Sequence, residues 1–178
     1  MNIFILNSGR CGSSTFIRAC SHIRNYSSAH ESLLHITGTG RLAYPANHIE
    51  ADNRLSWFLG RLDETWGDSA FYVHLNRERQ ATARSFARRI DFGILRAYEQ
   101  GILMHEEHRH TADEIALDYL DTVNSNIRLF LKDKTQKMNF SLENAKQDFE
   151  VFWQRIGAEG DLSAALAEWD TAYNASRV

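Results

Sequence analysis

Ile3-Phe4-Ile5-Leu6-Asn7-Ser8-Gly9-Arg10-Cys11-Gly12-Ser13-Ser14-Thr15 opens the chain and decides how the rest of it is read. The run from Ile3 to Leu6 is short, continuous and apolar, the pattern of a strand buried on both faces of a parallel sheet. Gly9 and Gly12 permit tight backbone turns, after which Thr15, Phe16, Ile17, Ala19, Cys20 and Ile23 recur at helical spacing. A strand, a glycine loop and a helix start aim several backbone N–H groups and the positive end of a helix dipole at one point, which attracts phosphate. Ser13, Ser14 and Thr15 add hydroxyl donors, and Arg10 adds a fixed positive charge. A plain strand-to-helix turn is the other reading of this segment taken alone. The triphosphate-binding loop is disfavoured, because it needs a lysine directly after its second glycine to reach the β- and γ-phosphates. Here Ser13 follows Gly12, and the cation stands two residues before that glycine.

Working outward, residues 35–51 are rich in Gly, Thr, Asn and His, hold the single proline, Pro45, and read as a long surface loop. Asp52 or Asn53 can cap a helix whose apolar face is Leu55, Phe58, Leu59, Leu62 and Trp66, ending near Gly67. A second buried strand is expected at Phe71-Tyr72-Val73-His74-Leu75, leading into a helix from about Glu78 to Ile90. Helical stretches follow at about Phe92 to Glu107 and Ala112 to Asn126, then a third strand candidate, Ile127-Arg128-Leu129-Phe130-Leu131. The C-terminal third is helical, with Ser141 and Asp161 as caps and Gly157 as a stop. Strands alternating with helices predict an α/β fold of three layers, α/β/α, around a central parallel sheet.

At 178 residues the chain is the length of one domain, taken here as 1–178. Its net charge of −3 argues against a nucleic-acid partner, so any bound anion must be met by a local cluster of donors. Two cysteines, Cys11 and Cys20, make no disulfide framework, and the N-terminus lacks the layout of a signal peptide. The longest apolar runs, Ile3 to Leu6 and Ala70 to Val73, fall far short of the roughly 20 residues that cross a bilayer. No membrane insertion and a cytoplasmic location are expected.

A second basic motif is His74-Leu75-Asn76-Arg77-Glu78-Arg79-Gln80-Ala81-Thr82-Ala83-Arg84-Ser85. Positions 77, 81, 85 and 89 fall on one face of a helix beginning beside a strand end, with the small Ala81 between Arg77 and Ser85. Taken alone, it also reads as a solvated basic helix. Together, the two motifs resemble the sulfotransferase family. Arg10-Cys11-Gly12-Ser13-Ser14 is similar to that family's 5′-phosphosulfate loop, in the style of its tyrosylprotein and bacterial branches, and the likeness runs on through Phe16-Ile17-Arg18-Ala19. In the family, an arginine at the end of a later strand and a serine eight residues on bind the 3′-phosphate, and Arg77 and Ser85 have that spacing. Arg89 matches an arginine of the tyrosylprotein branch. The resemblance covers residues 2–31 and 70–90. It implies a P-loop-like fold in minimal form that uses 3′-phosphoadenosine-5′-phosphosulfate (PAPS) without a metal, held by Arg10, Cys11, Gly12, Ser13, Ser14, Thr15, Arg77, Ser85 and Arg89.

It further implies sulfuryl transfer to a hydroxyl or amine, with Arg10 stabilising the transferring group and the leaving oxygen rather than donating a proton. The family's base is a glutamate about twenty residues beyond the loop arginine, where this chain has Ala29-His30-Glu31-Ser32. Glu31 is the expected base, and His30 is the alternative, since an unperturbed imidazole titrates near neutrality. Acceptor contacts are expected from Asn47, His48 and Arg54, for a small-molecule or carbohydrate acceptor. His105, His108 and His110 suggest a metal cluster, but the interleaved Glu106, Glu107 and Arg109 fit a solvated helix end better. The glycine-containing basic lid of the cytosolic enzymes is missing, with Lys132, Lys134 and Lys137 as possible substitutes. Two alternatives stay open: a non-catalytic adenosine-nucleotide sensor and a small-molecule kinase.

Overall fold

The computed structural model describes residues 1–91, 93–104, 110–171 and 173. Strands β1 (Ile3–Leu6), β2 (Ser27–His30), β3 (His48–Ala51), β4 (Phe71–Asn76) and β5 (Lys137–Ser141) form one sheet in the order β2-β3-β1-β4-β5, with every neighbouring pair parallel. The helices are α1 (Ser13–Cys20), α2 (Leu59–Trp66), α3 (Arg79–Ala87), α4 (Gly93–Ala97), α5 (Ala112–Leu131), α6 (Ala145–Arg155) and α7 (Leu162–Ala167).

Alternation along the strands divides the core in two. Ile3 and Ile5 of β1 and Phe71, Val73 and Leu75 of β4 face α1, α6 and α7, where Phe16 meets Phe140, Phe149 and Phe152 at ring separations of 5.0, 5.5 and 5.0 Å. Phe4, Leu6 and Tyr72 face the other way, against Leu62 of α2, Phe86 of α3 and the buried stripe of α5. The expected three-layer architecture is therefore the one observed, with a helical C-terminal third.

Four local expectations change. Residues 127–131 are the last turns of α5 and not a strand. Thr111 and Glu114 form a capping box at its start, and Ile115, Tyr119, Val123, Ile127 and Leu131 are buried four residues apart while Arg128 and Leu129 are exposed. That period belongs to a helix, and nothing breaks it before Leu131. The strand on that side of the sheet is β5, ten residues later. The presumed loop at 35–51 contains β3, which lies between β2 and β1 yet carries His48 and Glu50 on one face, with Asp52 continuing the row. The helix expected from Asp52 begins as a 3₁₀ turn, Asn53–Trp57, before α2 starts at Leu59. Near α4, the helix expected over 92–107 is described as α4 and a π turn, Tyr98–Ile102, while residues 105–109 lie outside the described residues.

Phe16 has no exposed surface, so Phe16→Ala should cost about 3–5 kcal/mol through lost burial and a residual cavity. Urea unfolding should show this as a lower midpoint at unchanged slope. His74 of β4 is buried, with Nε2 3.1 Å from Asn124 Oδ1. Burial pushes its pKa down, the Asn124 bond opposes this and the nearby Arg128 adds to it. In the unfolded chain a histidine titrates near ~6.5, so the stability held by neutral His74 is whole above that pH and is lost as pH falls through the folded-state pKa. His74→Gln should flatten the loss of thermal stability as pH falls below about 6.5.

Candidate functional site

The loop after β1 is shaped by one side chain and three backbone turns. Asn7, fully buried, donates from Nδ2 to Ile5 O (2.9 Å) and accepts the Gly9 N–H at Oδ1 (2.9 Å). Gly9 (φ 94°), Arg10 (φ 59°) and Gly12 (φ 95°) are left-handed, which curls the backbone into the start of α1. A side chain at position 12 would also crowd Leu142, since a Cβ there would lie 2.7 Å from Leu142 Cδ1. Gly12 occupies the N-cap of α1 and offers no side-chain cap. From below, Tyr119 OH donates to Ser8 O (2.7 Å) and Ser56 Oγ to Asn7 O (3.0 Å). The buried Cys11 thiol points into this underside toward Asn7 Oδ1, and burial pushes its pKa up to about 12. Its side chain packs the loop, as does buried Thr15, which leaves Ser13 and Ser14 as the more open hydroxyls.

The second motif arrives beside the first. Because β4 pairs with β1, Leu6 opposite His74, the chain leaves β4 at Asn76 and brings Arg77 against the loop, where Nη1 donates to Arg10 O (3.3 Å). Glu78 caps α3 by accepting the N–H groups of Gln80 and Ala81, which sets the helix so that Ser85 accepts from Arg10 Nε (3.0 Å). Arg89 lies close enough that its charge, after burial and ahead of Arg77, lowers the pKa of Arg10. Three guanidinium groups of like charge and one serine thus meet at a helix start. The strand order turns back here, since the chain leaves β1 toward β2 and leaves β4 toward β5, and ligands of open α/β sheets bind at that crevice.

The other flank is the end of β2. His30 Nε2 lies 3.0 Å from Ser13 Oγ, at the start of α1. Glu31 follows in a left-handed conformation (φ 55°), donates its N–H to Ala51 O (3.0 Å) and pairs its carboxylate with Arg54 Nη1 (3.0 Å). Arg54 therefore stands with Glu31. Asn53 beside it reaches the loop, its Nδ2 3.2 Å from where a Cβ on Gly9 would be. Asn47 and His48 are not brought here. They lie at the start of β3, aligned with Ser27 and bonded to the N-terminal amine and to Ser27 and Glu50 respectively, a strand length of roughly 10 Å from the loop. The lysines do not cover the site either. Lys134 Nζ pairs with Asp63 (2.6 Å), and Lys137 Nζ closes the end of α5 by donating to Leu131 O and Lys132 O. His105 and His108 lie outside the described residues, and among the described residues no group of three or more His, Cys, Asp or Glu is arranged to hold a metal ion.

Ser56 and Tyr119 escaped the sequence reading, and Asn53 was read there only as a helix cap. The signal for Asn53 was its position just past a strand end, legible only once β3 is recognised inside an apparent loop.

No family model matches the chain, and no curated protein matches it. Solved structures do. The sulfotransferase domain from the curacin biosynthetic pathway superposes with a TM-score of 0.61 at 13% identity, covering 96% of this chain and 78% of that one. The mouse sulfotransferase SULT7A1, complexed with PAP, superposes with a TM-score of 0.51 at 12% identity, covering 95% of this chain and 63% of that one. The chain thus spans less than two thirds of the mouse enzyme. At these identities the likeness is one of architecture, and the chain has the α/β fold seen in sulfotransferases.

Proposed function

We propose that the protein is a sulfotransferase that moves a sulfuryl group from PAPS to a hydroxyl or amine acceptor. The observation that carries this reading is the convergence of Arg10, Arg77, Ser85 and Arg89 on one glycine-curled helix start. That donor set fits a ligand with two separate anionic ends. The N–H groups at the start of α1, with Ser13 and Ser14, suit the 5′-phosphosulfate, and Arg77, Ser85 and Arg89 suit the 3′-phosphate. The complex of the mouse neighbour with PAP supports the same choice.

When bound, PAPS supplies the activated sulfuryl group, and adenosine 3′,5′-bisphosphate is the leaving group. Arg10 is oriented by its bond to Ser85 and neutralises negative charge beside the helix start. Glu31 takes the acceptor's proton on its carboxylate, and Arg54 fixes where that carboxylate points. His30, bonded to Ser13, is the other group able to accept a proton at this mouth. The Glu31–Arg54 pair also favours a second reading, in which Glu31 stays engaged and the protein binds the bisphosphate without turnover.

Calorimetric titration should show adenosine 3′,5′-bisphosphate binding more tightly than ATP, and tighter ATP binding would overturn the proposal. Arg77→Ala should weaken bisphosphate binding about 10- to 100-fold, the worth of a charged hydrogen bond. Glu31→Gln should keep that binding but slow release of the bisphosphate from PAPS by about 10²-fold or more, with water as acceptor. Unchanged turnover in Glu31→Gln, with turnover lost in His30→Gln, would move the base to His30.

A further inference from the structure

Strand β2, which delivers His30 and Glu31, has little apolar surface of its own. It is an edge strand of sequence Ser27-Ser28-Ala29-His30, none of it buried. Hydrophobic packing therefore does not fix its position. What fastens it is a polar strut from the neighbouring β3. His48 and Glu50 share one face of β3, 6% and 0% exposed. His48 Nδ1 meets Ser27 Oγ (2.8 Å) at the start of β2, and its Nε2 meets Glu50 Oε2 (2.9 Å). Glu50 then accepts both the N–H (2.8 Å, Oε1) and the Oγ–H (2.6 Å, Oε2) of Ser32. One His–Glu pair thus ties down the first residue of β2 and the residue directly after Glu31.

The tie matters because Glu31 is left-handed, a conformation that a non-glycine residue keeps only when its surroundings over-determine it. The Glu31 N–H bond to Ala51 O holds one side of that residue, and the double bond of Ser32 to Glu50 holds the other. The same row of β3 continues to Asp52, which accepts the Arg54 N–H (2.8 Å) and pairs with buried Arg41. Both members of the Glu31–Arg54 pair are therefore set by buried carboxylates two residues apart. A buried carboxylate is costly in a strand that could carry valine or isoleucine, and its bonds here go to the segment bearing the base.

We infer that Glu50, braced by His48, is a positioning residue that aims Glu31; the inference rests on the assignment of Glu31 as base. In Glu50→Gln, kcat for release of bisphosphate from PAPS, with water as acceptor, should fall about tenfold or more, the scale of a small misplacement of a reacting group. The Kd for adenosine 3′,5′-bisphosphate should change by less than about twofold, because the anion clamp is untouched. Adding Glu50→Gln to Glu31→Gln should lower kcat no further, since Glu50 acts only through Glu31. Ser32→Ala, a surface change that keeps the backbone bond, should shift kcat in the same direction by less and leave the fold intact. Wild-type turnover in Glu50→Gln and Ser32→Ala, or losses that multiply independently with Glu31→Gln, would overturn the inference. Full turnover in Glu31→Gln alone would instead remove the base assignment. Hydrogen exchange at the Ser32 amide then decides the strut by itself: faster exchange in Glu50→Gln upholds it, and unchanged exchange overturns it.

Discussion

The parallel pairing of β1 with β4, Leu6 set opposite His74, is the constraint from which the site follows. It makes two chain segments far apart in sequence leave the sheet side by side, one curling through Asn7 to Gly12 and the other running through Arg77 into α3. Three guanidinium groups gather there only because two packed cores hold the strands in register, one on each face of the sheet. Burial first, and then the like charges of Arg89 and Arg77, lower the pKa of Arg10. The cluster is a local concentration of positive charge on a chain whose net charge is −3.

Much of this was legible from residues alone because it is local. Ile3 to Gly12 encodes strand, turn and helix start within ten residues, and Arg77 with Ser85 lies on a single helix face. β3 was hidden for a physical reason: alternation of apolar and charged residues in a strand buried on both faces mimics a surface loop unless the partners of the charges are known. Those partners, Ser27, Ser32 and Arg41, are distant in sequence. The misreading of 127–131 had the opposite origin. Its β-prone composition was local, whereas burial at every fourth residue along α5 was set by packing against the sheet. With β3 unseen, Asn47 and His48 were grouped with Arg54, whereas they stand at the start of the strand and Arg54, one turn past its other end, stands against Glu31.

Arg10 and Glu31 are both non-glycine residues in the left-handed region, at a cost of about 1–2 kcal/mol each. Each is held by contacts from a different part of the chain, Arg10 by Ser85 and Arg77 and Glu31 by Ala51 and Arg54. The strain faces the proposed reaction centre from both flanks. Aromatic packing behind α1 supplies rigidity on one side, and a polar brace supplies it on the other, where an edge strand has no side chains large enough to pack.

Cys11 adds a property of another kind. Its sulfur lies beneath the loop, shut away from solvent and kept as the thiol. Thiolate character and access govern attack by peroxides and electrophiles, and this sulfur has neither. The turn after β1 therefore contains a soft, space-filling atom without inheriting its chemistry. A sulfenic or sulfonic acid, which would put an acidic group directly under the loop that bears Arg10, cannot form until the turn itself comes apart.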